Sequence, residues 1–370
     1  MKIASQPLVS IVVPVYNEEE FLGECMESIL AQTYANWECT IVNNCSTDRS
    51  AEIAKRYASR DSRIRFHENQ EFLRAVPNFN RALRQISSSS KYAKIVFSDD
   101  WIFPECLERM VEVAEQHPTA GIVGAYGLQG PDVMWSGLPY PTQLISGREV
   151  CRKLFLDDLY VFGTGTSLLF RADLVRARDP FYNESNLHAD SEACCALLGE
   201  CDFGFVHQVL TFTRVREGSL YQFSRGMNTL IAGRLHDLVN YGRQCLNEQE
   251  FQACLDQKLT EYYRFLAAHV VRRYDRAFWE YHKRKLVEAG AGFDRIRLAG
   301  ALCGKFADAA LNPKQALDKF LSRRRSGKPA TPALDASSMA KTKGTALALE
   351  HVGAGHVGAG HVGVGNKSGE

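Results

Sequence analysis

Over its first 116 residues the chain alternates short β-branched apolar runs with longer stretches of helical periodicity. Leu8-Val9-Ser10-Ile11-Val12-Val13-Pro14-Val15-Tyr16 is almost unbroken apolar sequence, the pattern of a strand covered on both faces in a parallel sheet. Phe21, Leu22, Cys25, Met26 and Ile29 follow at helical spacing within residues 18–32. A second strand is predicted over 37–42, a helix over 49–59, a third strand over 64–67, a helix over 79–86 and a fourth strand over 93–97. Pro104 opens a further helix that runs to about residue 116. Strand and helix in strict alternation imply βαβ units and a parallel sheet. The loops after Tyr16, Val42 and Phe97 should therefore gather on one sheet edge, where open α/β sheets bind ligands.

Beyond residue 120 the signal changes. A short strand at 121–126, an apolar stretch at 161–170, a helix opening at 190–192 and a strand over 203–214 lie in mixed, Gly-rich sequence, and 226–325 reads as helices. This divides the chain into an α/β domain at 1–222, a helical region at 223–325 and a low-complexity tail at 326–370. The tail holds the repeat His-Val-Gly-Ala-Gly, His-Val-Gly-Ala-Gly, His-Val-Gly-Val-Gly. Sequence of that kind buries too little apolar area to offset its ordering entropy, and disorder is expected there.

Composition excludes several classes. With 45% hydrophobic and 24% charged residues in 370, the chain is neither fibrous nor wholly disordered. No apolar run reaches the ~20 residues of a spanning helix. Eleven scattered cysteines with no CxxC pair read as reduced packing residues, and with no secretory signal the expected location is cytoplasmic. The net charge of +1 conceals an acidic body, −9 over 1–257, and a basic arm, +10 over 258–328. The arm fits either a solvated helical face or an anionic partner such as the inner membrane surface.

Three constellations could carry chemistry. Asp99-Asp100 ends the fourth strand. Adjacent carboxylates repel each other, and a divalent cation would make the arrangement favourable, although capping of the helix at Pro104 needs no ion. Asp190 and Glu192 stand at a helix start, where N-capping selects the same residue types. Arg74, Arg81, Arg84, Arg214 and Arg216 supply possible phosphate contacts or solvated charge. GxGxxG after the first strand, GxxxxGK[ST], GxSxG and structural-zinc spacing are all absent.

Val9-Ser10-Ile11-Val12-Val13-Pro14-Val15-Tyr16-Asn17-Glu18, then Val42-Asn43-Asn44-Cys45-Ser46-Thr47-Asp48, then Phe97-Ser98-Asp99-Asp100 resemble glycosyltransferase family 2. Asn80 and Pro104 also sit where that family often has them, and the likeness covers about residues 7–120. It implies a GT-A fold: a Rossmann-like, mostly parallel central sheet flanked by helices, here with a helical C-terminal extension. It further implies an inverting transfer of one sugar from a UDP- or dTDP-sugar to a hydroxyl of a glycan or lipid-linked acceptor, in cell-surface polysaccharide or glycolipid synthesis. Carried over, Pro14, Val15 and Tyr16 line the nucleotide pocket, and Asn44 replaces the family's base-reading Asp. Arg74 contacts base or diphosphate, and Asp99 holds the ribose or a water on the metal. Asp100 binds Mg2+ or Mn2+, Asp190 is the catalytic base, and Arg216 contacts the diphosphate. Ala189 departs from the family's usual Glu before the base, and Cys45 from its usual Gly. The processive synthases' Gln-x-x-Arg-Trp motif is missing, which implies a single addition. A catalytically silent nucleotide-sugar-binding module is the alternative, and a nucleotidyltransferase lacks the Gly-rich basic loop it needs. Nucleic acid is not an expected partner; peripheral contact with an anionic membrane is.

Overall fold

A computed structural model describes residues 6–216, 224, 226–270 and 276–311. The first half follows the predicted alternation, β1 (Val9–Val15), α1 (Leu22–Leu30), β2 (Trp37–Asn43), α2 (Ser50–Arg60), β3 (Ile64–Glu68), α3 (Ala75–Leu83), β4 (Tyr92–Ile95) and α4 (Cys106–Gln116), with one unpredicted short strand, β5 (Trp101–Ile102), before α4. The second half adds β6 (Ala120–Gln129), β7 (Asp132–Met134), β8 (Leu144–Ile145), α5 (Gly147–Leu156), β9 (Leu169–Arg171), α6 (Ala172–Arg176), α7 (Ala189–Leu197) and β10 (Asp202–Thr213). Four helices end the described chain: α8 (Thr229–Tyr241), α9 (Glu248–Val270), α10 (Arg276–Glu288) and α11 (Arg295–Leu311). The tail at 326–370 lies outside the described residues.

The strands form one sheet of order β3-β2-β1-β4-β9-β6-β10-β5, with β7 paired to β6 and β8 to β10. β1 lies between β2 and β4, parallel to both, and β10 is parallel to β6. Every residue of β1 is buried, as its unbroken apolar run requires. Alternate residues face opposite layers: Val12 joins a core with α5 and α7, while Ile11, Val13 and Val15 join one with α1 and α4. This is the two-residue period of a strand applied to a sheet covered on both sides.

The structure departs from the expected parallel pattern at β9. The apolar stretch 161–170 is mostly a crossing segment with a single 3-10 turn, and its last residues pair antiparallel with both β4 and β6. Apolarity there reports burial at the sheet's middle, which periodicity cannot distinguish from strand. The helix expected over 79–86 begins earlier, at Ala75, because Pro77 fits a helix's first turn.

A third core belongs to the C-terminal helices, with Leu235, Tyr262, Leu266, Phe278 and Leu286 all buried. His282 sits fully inside it, bonded to the Tyr262 hydroxyl at 2.7 Å and the Met227 carbonyl at 2.9 Å. Burial pushes its pKa down to about 4, so it packs as a neutral ring. All eleven cysteines are free.

One polar clamp fixes the segment leading to α7. The Asn80 side-chain amide, on α3, donates to the Tyr182 carbonyl at 2.8 Å and accepts from the Tyr182 N–H at 2.8 Å. Both partners are buried, so truncation leaves two backbone groups without partners. Asn80→Ala is expected to lower stability by about 2–4 kcal/mol, read as a reduced midpoint in urea with unchanged slope.

Candidate functional site

The parallel strands β1, β2 and β4 release their chains on one edge. The loop after β1 turns at Asn17, whose φ of 54° is left-handed, and that after β2 turns at Cys45, φ 58°. These loops interlock. Asn17 N–H donates to Ser46 Oγ at 3.0 Å, Thr47 N–H to Asn17 Oδ1 at 2.8 Å, and Glu18 N–H to Ser50 Oγ at 2.7 Å. Asp48 accepts from the N–H groups of Ser50 at 2.9 Å and Glu19 at 3.0 Å. Of the three turn residues Asp48 alone satisfies the first N–H of α2, while Ser46 and Thr47 bond Asn17; Ser50, the first residue of α2, fixes where Glu18 stands.

Glu18, Asp99 and Asp100 converge beside this knot. Arg216 Nε donates to Asp99 Oδ2 at 2.9 Å, and the same guanidinium pairs with Glu18. Asp100 is 3% exposed. Thr166 Oγ1 donates to its Oδ2 at 2.7 Å and the Arg214 N–H to its Oδ1 at 3.0 Å. Arg214 Nε reaches the Asp99 carbonyl at 3.0 Å, its guanidinium pairs with Glu24 and its plane lies 4.5 Å over Phe21. Burial, then the neighbouring Asp99 carboxylate, push Asp100 well above the usual carboxylate range. Burial raises Glu18 to about 7 against the pull of Arg216, and its Oε2 is buried without a partner.

Thr166 is held from behind by Lys94. This fully buried β4 lysine donates from Nζ to the Thr166 carbonyl at 2.8 Å and the Leu168 carbonyl at 3.2 Å. Burial lowers its pKa. The sequence reading passed over Glu18 as a site residue, and Lys94 and Thr166 altogether. Only Glu18 carried a signal, as part of the Tyr16-Asn17-Glu18 run.

Asp190 is the second residue of α7, half-buried. Its Oδ1 accepts from the Ser191 N–H at 2.9 Å, and burial raises it to about 6. It stands close enough to Tyr160 and Tyr182 to reinforce the effect of burial in raising both phenols. Tyr160 begins the crossing segment whose Thr166 binds Asp100, so one short stretch of chain joins the surroundings of both carboxylates. Glu192 plays a different part. Burial alone would raise it, but His236, Asn186 and Asn183 hold it down to about 2.

Tyr16, Asn44 and Arg74 come together in a second patch. Tyr16 packs against Phe72 with ring centroids 4.8 Å apart and planes tilted by 57°. Asn44 is 2% exposed: its Oδ1 accepts from the Leu73 N–H and from Asn69 Nδ2, both at 2.9 Å, and its Nδ2 donates to the Leu73 carbonyl at 2.7 Å. Arg74 is exposed just before α3. Asn44 therefore pins the 69–73 segment with the carbonyl that the sequence reading directs at a base. Pro14 and Val15 are buried inside β1, and the Val15 carbonyl accepts from the Asn44 N–H at 2.8 Å. Of the Pro14-Val15-Tyr16 triplet, only Tyr16 keeps exposed surface.

Residues 10–177 match the family model described as Glycosyl transferase family 2. This segment is a family 2 glycosyltransferase domain. Among curated proteins, EpsE of Bacillus subtilis strain 168, named as a candidate glycosyltransferase, is 34% identical over 155 residues, 40% of this chain and 55% of that protein. TuaG of the same strain, named as a candidate teichuronic acid biosynthesis glycosyltransferase, is 31% identical over 127 residues, covering 34% and 50%. The chain thus spans about half the length of these relatives. Among solved structures, Staphylococcus aureus TarS 1–349 in complex with UDP-GlcNAc superposes with a TM-score of 0.59 at 15% identity, covering 83% of this chain and 92% of that one. The fold is GT-A. The family 2 match includes β1 to β9, Asp99, Asp100 and Thr166, and it ends before Asp190, Arg214 and Arg216.

Removing the cation between Glu18 and Asp99 gives a pH-dependent deficit. Glu18 has a raised folded-state pKa, so stability falls as pH rises through about 7. Without its arginine the Glu18 pKa rises further and that fall extends to higher pH. Arg216→Met should therefore lose more stability at pH 8 than at pH 5, by about 1 kcal/mol, as thermal melts across that range would show.

Proposed function

We propose that this protein is an inverting, metal-dependent glycosyltransferase that moves one sugar from a UDP- or dTDP-sugar to a hydroxyl acceptor, in the synthesis of a cell-surface glycan. The observation that carries this reading is the joining of Asp100 and Asp190 through the 160–166 segment. Its Thr166 bonds Asp100 and its Tyr160 lies within the electrostatic reach of Asp190, a half-buried acid of pKa about 6, so both carboxylates border one stretch of chain. TarS, a protein of the same fold, binds UDP-GlcNAc, and TuaG is named for teichuronic acid biosynthesis.

In this reading Asp190 accepts the acceptor's hydroxyl proton as that oxygen attacks the anomeric carbon. The bond from that carbon to the diphosphate oxygen breaks, and its electron pair leaves with the nucleoside diphosphate. A base whose pKa lies near the working pH suits the task. Tyr16 and Arg74 border the nucleotide, Asp99 holds the ribose, and Arg216 turns from Glu18 to the diphosphate. Asn44 acts by holding the loop that carries Phe72 and Arg74.

The residues fit a Mg2+ or Mn2+ ion. Such cations need only one or two protein carboxylates beside substrate phosphates. Asp100 is a carboxylate whose charged form is disfavoured by burial and then by Asp99, a condition that a cation relieves. Among the described residues no group of three or more ligating side chains forms a complete protein cage. Bound to Asp100, the ion would neutralise charge building on the departing diphosphate.

A nucleotide-sugar panel with and without Mn2+ tests the assignment. Turnover is expected with a UDP- or dTDP-sugar, dependent on the ion and rising with pH through about 6. Asp190→Asn should lower kcat by ~10²–10⁴-fold while UDP binding persists. Binding without turnover on any donor would indicate the silent module, and a metal-independent preference for a guanine donor would overturn the uridine or thymidine assignment.

The same reading places the protein against an anionic membrane surface. Along α11, Ile296, Phe306 and Leu311 are 84%, 63% and 79% exposed, and at 100° per residue they fall within an arc of about 140°. The surrounding sequence, 258–328, carries a net charge of +10. An apolar face in basic sequence suits the boundary of an anionic bilayer. Among the described residues no helix is long and apolar enough to cross a membrane. The full chain should float with phosphatidylglycerol vesicles and not with phosphatidylcholine ones, and Ile296→Ser with Phe306→Ser should abolish flotation. Equal recovery of variant and parent would remove this part.

A further inference from the structure

The helix that follows the α/β domain grips the start of α7 on both sides of Asp190. Asp237, on α8, is 2% exposed, and its Oδ2 accepts from Ser191 Oγ at 2.9 Å. The N–H of that same Ser191 donates to Asp190 Oδ1 at 2.9 Å. One residue further on, Glu192 pairs with His236 at 3.1 Å and accepts from the Tyr241 hydroxyl at 3.2 Å, both from α8. One residue before Ala189, His188 Nε2 meets Thr229 Oγ1 at 2.9 Å. Gly233 lets the helices approach so closely, because a Cβ there would come within 2.6 Å of the His188 ring. α8 therefore holds residues 188, 191 and 192, and Asp190 projects from between them.

The other Asp237 oxygen, Oδ1, has no hydrogen-bond partner. It borders a cavity of about 20 Å3 lined also by Tyr160, Ser191 and Arg234, room for a single water. A lone buried carboxylate with one strong donor is a costly way to build a helix contact. Its single firm bond goes to the residue that orients Asp190.

We infer that Asp237 is a positioning residue for the reaction centre: from α8 it fixes Ser191, and through Ser191 it sets the direction of the Asp190 carboxylate. This rests on Asp190 being the base proposed above. It makes the helices beyond the family 2 segment part of the catalytic apparatus, although none of their described side chains hydrogen-bonds Asp190. The groups facing Asp190 are Tyr160, Tyr182, Cys194 and Asp237. Those around Asp237 are His236, Glu192, Asp190, Tyr160, Tyr241, Cys194 and Cys195, with Arg234, Asp158, Lys258 and His188 across the cavity.

The test measures UDP release from a UDP-sugar by the full chain, as kcat, donor KM and pH profile. Ser191→Ala and Asp237→Leu should each lower kcat roughly ten- to hundred-fold, the scale of a misplaced catalytic group, with donor KM changed less than about threefold. The acidic limb should move to higher pH, since loosening the Ser191 N–H bond removes a contact that favours ionised Asp190. The double variant should be no worse than the poorer single one, because both break a single linkage. Asp237→Asn, which can still accept from Ser191 Oγ, should recover most of kcat and the original limb. Wild-type kcat with an unmoved limb in Ser191→Ala, or additive losses in the double variant, would overturn the inference. Should Asp237→Leu fail to fold, Ser191→Ala and Asp237→Asn carry the same comparison. Full activity in Asp190→Asn would sink the proposed base and this inference together. An inactive Asp190→Asn beside an unaffected Ser191→Ala would sink this inference alone.

Discussion

Three carboxylates crowd the edge where β1 and β4 end, and their mutual repulsion in a poorly solvated place is the constraint around which the domain is arranged. Glu18, Asp99 and Asp100 lie together with Arg214 and Arg216 threaded among them. Two arginines relieve much of the repulsion at rest, while burial, reinforced by Asp99, keeps the pKa values of Asp100 and Glu18 raised. A fold optimised for stability alone would have no use for this cluster. Active sites commonly keep such costs.

Holding that cluster requires rigid backing, and the chain supplies it with buried polar contacts. Asn44 pairs with both backbone groups of Leu73, and Asn80 with both of Tyr182. Each uses a side-chain amide as a substitute peptide group, and so ties an irregular segment to the end of β2 or to α3 with both amide atoms paired. Lys94 does similar work from inside β4, holding the Thr166 and Leu168 carbonyls so that the Thr166 hydroxyl faces Asp100. The loops of the site are thereby fixed by hydrogen bonds at their roots.

The α/β half of the fold was legible because its signals are local. A strand buried on both faces has no polar alternative at any position, so β1 and the start of β10 are plain in the sequence. Helices α1 and α4 follow from a repeated apolar stripe. β9 was hidden, since three residues inserted antiparallel between β4 and β6 look like any other apolar stretch. Among site residues, Asp99, Asp100 and Asp190 stand out as acids beside strand ends or helix starts. Lys94 and Thr166 do not: one resembles an ordinary strand lysine, the other an ordinary loop threonine. Their roles exist only through contacts with carbonyls and carboxylates distant in the chain.

Local chemistry was thus sufficient to settle the alternation of β1 to β4 with their helices, the edge at which their loops gather and the acids placed there. Each of these depends on neighbours within a few residues, where side-chain period and backbone preference act. Tertiary structure alone decided that Asn44 is consumed in bracing a loop, that Arg216 lies between two acids, and that a helix beyond the family 2 segment grips the residues around Asp190. Those outcomes depend on which distant groups meet once water has been excluded, and no pattern along the chain encodes the distance between them.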